Sequence, residues 1–141
     1  MKIYFAGSIR GGRDDKESYK KIIDWLRKYG SVLTEHIGLD SLTSDGQTQF
    51  SEEKIYNKDT EWIKESDIIF AEVTQVSLGV GYELGFAESL GKRIVCLFNT
   101  ESGKSLSAMI RGNKNLEVID YQNINEIPNI LPTIFQQKNN D

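Results

Sequence analysis

Short apolar runs alternate with amphipathic stretches along almost the whole chain of 141 residues. Such alternation is typical of β–α–β units, whose right-handed crossovers build a parallel sheet with helices on both faces. The apolar runs predict five strands, at residues 3–6, 31–34, 67–73, 93–98 and 116–119. The amphipathic stretches predict helices at about 14–30, 51–66, 80–90, 105–111 and 125–136. We therefore expect an α/β fold, with a doubly wound five-stranded parallel sheet of the flavodoxin-like (Rossmann-like) order 2-1-3-4-5.

The length and the absence of linkers predict a single domain over residues 1–141, with a polar tail from about 137. A net charge of −4 argues against a protein that grips a nucleic-acid backbone. No apolar stretch approaches the roughly 20 residues that span a bilayer, and the N-terminus has no signal-peptide pattern. The single cysteine, Cys96, lies in an apolar run and excludes an internal disulfide. We expect a cytoplasmic protein with neither nucleic acid nor membrane as a partner.

The segment after the first predicted strand is suited to binding an anion. It reads Gly7-Ser8-Ile9-Arg10-Gly11-Gly12-Arg13 and leads directly into a predicted helix. Glycines let backbone N–H groups converge on a phosphate, and the helix N-terminus adds partial positive charge. Ser8 and Arg10 can donate further hydrogen bonds. The alternative is a surface turn whose arginines are merely solvated, and the segment matches neither the P-loop nor the dinucleotide-binding pattern.

A carboxylate, Glu83, follows the third predicted strand, across the point where the strand order reverses. Ligands bind at this point in doubly wound sheets. We expect Glu83 in about the first turn of the next helix, where the helix dipole favours an ionised carboxylate. A fixed, ionised carboxylate in a pocket can attack a sugar anomeric carbon. The alternative is that Glu83 only stabilises the start of the helix.

A second carboxylate, Asp59, shares the inward face of its predicted helix with Ile63. A charge there is costly unless it is paired or faces a polar pocket. Arg10 or His36 could be its partner in a plain ion pair. Two inward carboxylates near one switch point also suit a retaining glycoside cleavage, in which one attacks and the other handles protons.

Two further polar residues could border the same site. Glu72 ends the third predicted strand and could be a wall of the site, or it could be solvated. His36, the single histidine, could contact a base or could be a packed structural residue. With one histidine and one cysteine we expect no protein zinc site.

Taken together, these segments resemble a known family. The chain is similar, in order from residue 3 to about 120, to the 2′-deoxynucleoside 5′-phosphate N-hydrolases of the nucleoside 2-deoxyribosyltransferase superfamily. The similarity lies in the following segments: Tyr4-Phe5-Ala6-Gly7-Ser8-Ile9-Arg10-Gly11-Gly12-Arg13, Thr34-Glu35-His36, Asp59-Thr60-Glu61-Trp62, Ala71-Glu72-Val73-Thr74-Gln75, Ser77-Leu78-Gly79-Val80-Gly81-Tyr82-Glu83-Leu84-Gly85, Lys92-Arg93 and Leu106-Ser107-Ala108-Met109-Ile110-Arg111-Gly112.

The resemblance implies a reaction and roles for three residues. Glu83 would attack C1′ of the deoxyribose and form a glycosyl-enzyme intermediate that water resolves. Asp59 would orient the sugar and Glu83 or act in proton transfer to the base, and Tyr4 would pack near C2′ and help to exclude a ribose hydroxyl. The products would be a free base and 2-deoxyribose 5-phosphate, and no cofactor would be needed.

The resemblance also implies the contacts of the substrate and the assembly of the protein. Family members are homodimers with shared active sites, and Ser107 would reach the phosphate site of the neighbouring subunit. The substrate-binding and phosphate-binding residues of the same chain would be Gly7, Ser8, Ile9, Arg10, Gly11, Gly12, His36, Ser77, Gly79 and Met109.

Three alternatives stay open at this point. Nucleoside deoxyribosyltransferases tend to place an acidic residue six positions before the glutamate nucleophile, where this chain has Ser77, and serine suits a phosphate better than a carboxylate does. A non-catalytic nucleotide sensor would not require both Glu83 and Asp59. A ribonucleotide N-glycosidase is disfavoured by Tyr4, through the resemblance only. Residues 38–49 look unlike the corresponding segment of the family, so the sequence does not identify the preferred base.

Overall fold

The computed structural model of this protein describes residues 1–9, 13–38 and 51–136. Several predictions of the sequence lie outside these ranges. They are the roles of Arg10, Gly11 and Gly12 in the anion-binding segment, the loop over residues 39–50, and the polar tail from about 137.

Five parallel strands form one sheet in the order β2-β1-β3-β4-β5. This order confirms the predicted flavodoxin-like topology, and the reversal lies between β1 and β3. The strands are β1 (Lys2–Ala6), β2 (Ser31–Leu33), β3 (Ile68–Glu72), β4 (Arg93–Asn99) and β5 (Glu117–Tyr121).

Helices connect the strands and cover both faces of the sheet. Within the described ranges, none of them is long and apolar enough to cross a membrane. The α-helices are α1 (Arg13–Leu26), α2 (Glu52–Glu65), α3 (Leu78–Ser89), α4 (Ala108–Arg111) and α5 (Ile127–Gln136). Short 3₁₀ helices lie at Glu35–Gly38, Thr100–Ser102 and Ile124–Glu126.

The end of α1 and the beginning of α3 differ from the predicted positions. Helix α1 ends at Leu26 and not near Gly30. Gly30 instead lies against the first residue of the chain, since a Cβ there would come within 2.3 Å of the carbonyl oxygen of Met1. Helix α3 begins at Leu78, two residues early, because the Ser77 side chain accepts a hydrogen bond from the Val80 N–H at 3.2 Å.

Alternate residues of β1 face two separate hydrophobic cores. Ile3 and Phe5 pack with α1 and α5, whereas Tyr4 and Ala6 pack with Ile63 of α2 and with residues of α3. Cys96 of β4 is buried in the second core, and burial raises the pKa of its thiol to about 12. The alternation places Tyr4 on the side of the sheet that carries the helices of Asp59 and Glu83.

Candidate active site

A pocket of about 440 Å³ opens at the carboxyl ends of β1 and β3, where the topology predicts ligand binding. This volume lies in the range of pockets that bind small molecules. Its walls come from β1 and the loop after it, the start of the first 3₁₀ helix, and the loop that enters α3. The lining residues are Tyr4, Phe5, Ala6, Gly7, Ser8, Ile9, Glu35, His36, Val76, Ser77, Leu78, Gly79, Val80 and Glu83.

Tyr4 and Glu83 meet in this pocket. The Tyr4 hydroxyl donates a hydrogen bond to the Glu83 carboxylate oxygen Oε2. Tyr4 is buried in the sheet, so its ring is fixed by packing. Burial and the nearby carboxylates of Glu83 and Asp59 raise the pKa of the Tyr4 hydroxyl far above its ordinary value, so that this group stays a donor. This hydrogen bond fixes the Oε2 oxygen of Glu83, and the other carboxylate oxygen does not take part in it.

The environment of Glu83 differs from the one that the sequence predicts. Glu83 is the sixth residue of α3 and lies in its second turn, beyond the first turn in which the helix dipole acts most strongly. Burial raises the pKa of Glu83 to about 7, the Tyr4 hydrogen bond lowers it, and the charge of Glu35 raises it. Glu83 thus lies one turn further into the helix than the first turn, and the Tyr4 hydroxyl is the group that favours its ionised form.

Asp59 is buried on α2, as its inward position predicts, and its charge acts on the Tyr4 hydroxyl, although Asp59 does not line the pocket. The groups that act on the pKa of its carboxyl are Glu35, Glu83 and Lys58, and His36 is not among them. The other partner considered, Arg10, lies outside the described residues. Burial, the contact with Glu35 and the charges of Glu35 and Glu83 raise the pKa of the Asp59 carboxyl, and Lys58 lowers it. Two carboxyl groups, those of Glu35 and Glu83, line the pocket, and the charges of both act on the buried Asp59.

Glu35 is the residue that the sequence interpretation missed. It follows β2 directly, and β2 is the neighbour of β1 at the edge of the sheet where the pocket opens. A carboxylate at that position was a usable signal, because the carboxyl ends of parallel strands lie at the same edge.

The described part of the anion-binding segment lies along the pocket. Ser8 is buried at 5% exposure, whereas Ile9 is 40% exposed. Gly7 packs on the ring of Tyr19, because a Cβ at Gly7 would come within 3.0 Å of the ring carbon Cζ. Ser77 faces the same pocket as the N-cap of α3. Ser8 and Ser77 thus line the same pocket, and the N-terminus of the 12-residue helix α3 lies beside it.

His36 lines the pocket but is held by packing. Its Nε2 lies 3.0 Å from the carbonyl oxygen of Gly7, and because a carbonyl only accepts, Nε2 is the protonated nitrogen. The imidazole meets the rings of Phe5 and Tyr19 at centroid distances of 5.8 and 5.0 Å. Burial lowers the pKa of His36, although the Gly7 contact opposes this effect. The neutral ring fixes the start of the anion-binding segment.

Glu72 is not a wall of the site. It occupies the same parity as Ile68 and Phe70 in β3, so its side chain lies on the opposite face of the sheet from Tyr4. There the Glu72 carboxylate accepts hydrogen bonds from the Thr74 N–H at 2.7 Å, from the Thr74 hydroxyl at 2.9 Å and from the Tyr121 hydroxyl. It is neither a pocket residue nor solvated.

Ser107 and Met109 do not line the pocket of their own chain. Ser107 is the N-cap of α4 and accepts a hydrogen bond from the Met109 N–H at 3.2 Å. This cap explains why α4 begins at Ala108, three residues later than predicted. The Met109 side chain is 81% exposed. Within the described ranges, no group of His, Cys, Asp or Glu side chains is arranged to hold a metal ion.

Comparison with known proteins identifies the family. Residues 3–120 match the family model described as nucleoside 2-deoxyribosyltransferase. The chain is 51% identical to the 5-hydroxymethyl-dUMP N-hydrolase of Danio rerio, with 96% of each chain covered. It is 46% identical to the human protein of the same name, over 95% of this chain and 79% of that one.

A solved structure gives the same fold. The Clostridium botulinum CMP N-glycosidase superimposes with a TM-score of 0.69 over 94% of this chain and 99% of that one, at 22% identity. At this identity the likeness supports the fold alone. The predicted resemblance is confirmed by the relatives and by the family match, which spans most of the sequence. This chain belongs to the nucleoside 2-deoxyribosyltransferase family.

Proposed function

We propose that this protein hydrolyses the N-glycosidic bond of 2′-deoxynucleoside 5′-monophosphates and releases a free base and 2-deoxyribose 5-phosphate. The observation that carries the proposal is the hydrogen bond from Tyr4 to Glu83 in a pocket that begins at the anion-binding segment. The relatives named as N-hydrolases of a deoxynucleotide, at 46% and 51% identity, support the same reaction.

Glu83 is the nucleophile in this proposal. One oxygen of its carboxylate accepts from Tyr4, and the other attacks C1′ of the sugar as the bond to the base breaks. Water then cleaves the resulting ester and frees the sugar phosphate. The Tyr4 hydroxyl lowers the pKa of Glu83 and so keeps a larger fraction of it in the attacking form near neutral pH.

Tyr4 also supports the choice of a deoxyribose. Its ring is buried at 2% exposure and cannot move aside without disturbing the second core. A ligand whose C1′ lies against Glu83 brings its C2′ close to the Tyr4 hydroxyl, because the two side chains are in hydrogen-bonding contact. A 2′-hydroxyl would then compete with that contact, and a deoxyribose would leave it intact.

The phosphate is held at the other end of the pocket. Ser8 and Ser77 offer hydroxyl groups there, and Gly7, Ile9 and Gly79 offer a wall close to the backbone. Arg10, Gly11 and Gly12 continue the same segment and complete the proposed phosphate site. Ser77 favours a 5′-phosphate over a free 5′-hydroxyl because a carboxylate at this position would repel the anion.

The proposed function includes a homodimer with shared sites. Large apolar side chains are exposed at the pocket, with Val76 at 82% and Leu78 at 92%, and Met109 of α4 is 81% exposed. Tyr82 lies beside Tyr56, with ring centroids 6.2 Å apart, and both rings are half exposed or more. Such a patch is typical of a protein–protein contact. A second copy of the chain would cover it and bring its Ser107 to the phosphate.

The proposed compartment is the cytoplasm. The single cysteine is buried, and its raised pKa keeps it as an unreactive thiol, which suits a reducing environment.

A panel of nucleotides tests the proposed function. The enzyme is incubated with 5-hydroxymethyl-dUMP, dUMP and dGMP, with CMP as the ribose control, and with deoxyguanosine alone or together with adenine. Chromatography should reveal free base from the deoxynucleotides and none from the ribonucleotide or the nucleoside. Transfer of the sugar to adenine without release from the nucleotides would instead identify a transferase. 5-Hydroxymethyl-dUMP is the first substrate to test, because the relatives carry its name.

A further inference from the structure

Glu72 binds the end of β3 to the loop that enters α3. This loop covers residues 73–77 and carries two residues of the pocket wall, Val76 and Ser77. The Glu72 carboxylate accepts a hydrogen bond from the Thr74 N–H at 2.7 Å through Oε1, and another from the Thr74 hydroxyl at 2.9 Å through Oε2. The loop is therefore fixed at Thr74, close to the residues that face the pocket.

Two neighbouring strands complete this network of hydrogen bonds. The hydroxyl of Tyr121, the last residue of β5, donates to the same oxygen of Glu72. The Thr74 hydroxyl oxygen accepts from the N–H of Asn99, the last residue of β4, at 2.9 Å. Because a backbone N–H only donates, the Thr74 oxygen accepts in that contact and directs its own proton to Glu72. We call these four residues the carboxylate network, which ties the carboxyl ends of three strands to one loop.

The centre of the carboxylate network is buried on the face of the sheet opposite to Tyr4. Glu72 is 3% exposed and Tyr121 is 5% exposed. Burial raises the pKa of Glu72, the hydrogen bonds from Tyr121 and Thr74 lower it, and the charge of Asp15 raises it. A buried charge is costly even when it is hydrogen-bonded, and apolar side chains of similar volume often stabilise a fold as well. The position that the network gives to the loop explains it better than stability alone.

The loop ends at Ser77, where the proposed substrate places its phosphate. The Ser77 Oγ accepts a hydrogen bond from the Val80 N–H at 3.2 Å as the N-cap of α3. This contact uses a lone pair of the hydroxyl and not its proton, which Ser77 can donate to a ligand. The direction of that donation depends on where residues 73–77 lie, because they carry Ser77 between β3 and α3.

We propose that Glu72 is a positioning residue, which acts through Thr74 and the loop on the contact between Ser77 and the 5′-phosphate of the substrate. This role rests on the hydrolase function proposed above and deepens it. Glu72 does not line the pocket, so its effect reaches the ligand only through the loop. Disruption of the carboxylate network should therefore weaken binding of the phosphate more than it slows the cleavage step.

Two variants test the proposal. Glu72→Gln keeps the size of the side chain but offers one carbonyl oxygen to three donors, and Thr74→Val keeps the shape of residue 74 but removes its hydroxyl. In both variants KM for dUMP should rise roughly tenfold, while kcat should stay within about threefold of the wild type. Titration calorimetry should show a similar loss of affinity for 2-deoxyribose 5-phosphate, which carries the phosphate without a base.

A conservative variant and a matched control separate this role from a general loss of stability. Thr74→Ser keeps the hydroxyl and should restore KM and the affinity for 2-deoxyribose 5-phosphate. Ile134→Val removes a buried methyl group from α5 in the core that Glu72 faces, and it should lower the free energy of unfolding. Its KM should equal that of the wild type. In every variant the acidic limb of kcat/KM should stay at the same pH, because Glu83 keeps its surroundings.

The outcomes distinguish this proposal from the proposed function. Unchanged KM and unchanged affinity for 2-deoxyribose 5-phosphate in Glu72→Gln and Thr74→Val would overturn the positioning role, as would an equal rise of KM in Ile134→Val. If Glu72→Gln does not fold, Thr74→Val decides. A wild type that binds 2-deoxyribose 5-phosphate but releases no base from any deoxynucleotide would refute the hydrolase function, and the calorimetric comparison would still test the positioning role. A wild type that does not bind this sugar phosphate would refute both.

Discussion

The Tyr4 hydroxyl donates a hydrogen bond to Glu83 although the two residues lie 79 positions apart in the sequence. The fold creates this contact by two steps. The pairing of β1 with β3 puts the two strand ends side by side, and the alternation along β1 turns Tyr4 towards α3. The contact tunes the carboxylate on which the proposed reaction depends.

Removing the Tyr4 hydroxyl should move the pH profile. Its hydrogen bond lowers the pKa of Glu83, which burial has raised to about 7. In Tyr4→Phe this pKa rises further, so the acidic limb of kcat/KM should move to higher pH by about one unit, the size expected for a hydrogen bond to a charged group. The pH dependence of dUMP hydrolysis measures the shift.

A matched control uses the other tyrosine that donates to a buried glutamate. Tyr121→Phe removes a hydroxyl bonded to Glu72, on the opposite face of the sheet, and should leave the acidic limb where it is. An equal shift in both variants would mean that Tyr4 does not act on Glu83 directly.

Glu83 should reduce the stability of the fold at alkaline pH. Its pKa in the folded protein is about 7, above the ordinary value of 4.5, so the folded state holds the extra proton between these values. The favourable contribution is complete below about pH 4.5 and is lost as the pH rises through 7. Glu83→Gln should therefore unfold with a free energy larger by about 3 kcal/mol at pH 8 and nearly unchanged at pH 4.

Urea titrations at the two pH values measure this difference. Glu61→Gln, an exposed glutamate, serves as the control and should show no such dependence. A Glu83→Gln protein that is less stable than the wild type at pH 8 would contradict the buried, destabilised carboxylate.

The position of Gly7 should matter more for substrate binding than for turnover. A Cβ there would lie 3.0 Å from Cζ of Tyr19 and 3.1 Å from Cε2, so the anion-binding segment or the ring must shift. Gly7→Ala should raise KM for the nucleotide roughly tenfold with a smaller effect on kcat. Steady-state kinetics with a deoxynucleotide give both values.

Gly85 provides the comparison for this substitution, because a Cβ there meets no heavy atom within 4 Å. Gly85→Ala, inside α3, should keep KM and stabilise the protein by about 0.5–1 kcal/mol. A larger rise of KM in Gly85→Ala than in Gly7→Ala would show that the packing of Gly7 on Tyr19 does not position the substrate.

Shared active sites predict complementation between two defective variants. Glu83→Gln and Ser107→Ala should each be impaired alone, since both residues serve the site but from different subunits in the proposed dimer. An equimolar mixture contains mixed dimers in which one site has both native residues, and these should restore about a quarter of wild-type activity. Steady-state rates after mixing and subunit exchange provide the measurement. No gain on mixing, or a fully active monomer, would argue against the shared site.

The sequence was sufficient for the topology because the hydrophobic periods of this chain are clear. The strand order follows from these periods, and the position of Glu83 near the point where the order reverses follows from its place after the third strand. The alternation of β3 also places Glu72 on the same face as Ile68 and Phe70, away from Tyr4. The prediction that Glu72 could be a wall of the site is therefore wrong.

Other features depend on contacts that no pattern in the sequence encodes. Gly30 does not end α1 but lies close to the carbonyl oxygen of Met1, and the sequence pattern does not indicate this approach. The pKa of Glu83 depends on burial, on the Tyr4 hydroxyl and on the charge of Glu35, which only the fold brings together. The effect of Glu35 on the pKa of Asp59 depends on the position of the 3₁₀ helix, whose short span has no period of its own.

The role of Glu83 as a nucleophile is tested most directly by trapping the intermediate. Enzyme mixed with a deoxynucleotide is quenched in acid within the first turnover, digested, and analysed by mass spectrometry. We predict a deoxyribose 5-phosphate ester on the peptide that contains Glu83, and no ester in the Glu83→Gln variant. Full turnover by Glu83→Gln, or a sugar phosphate attached to another residue, would contradict the account.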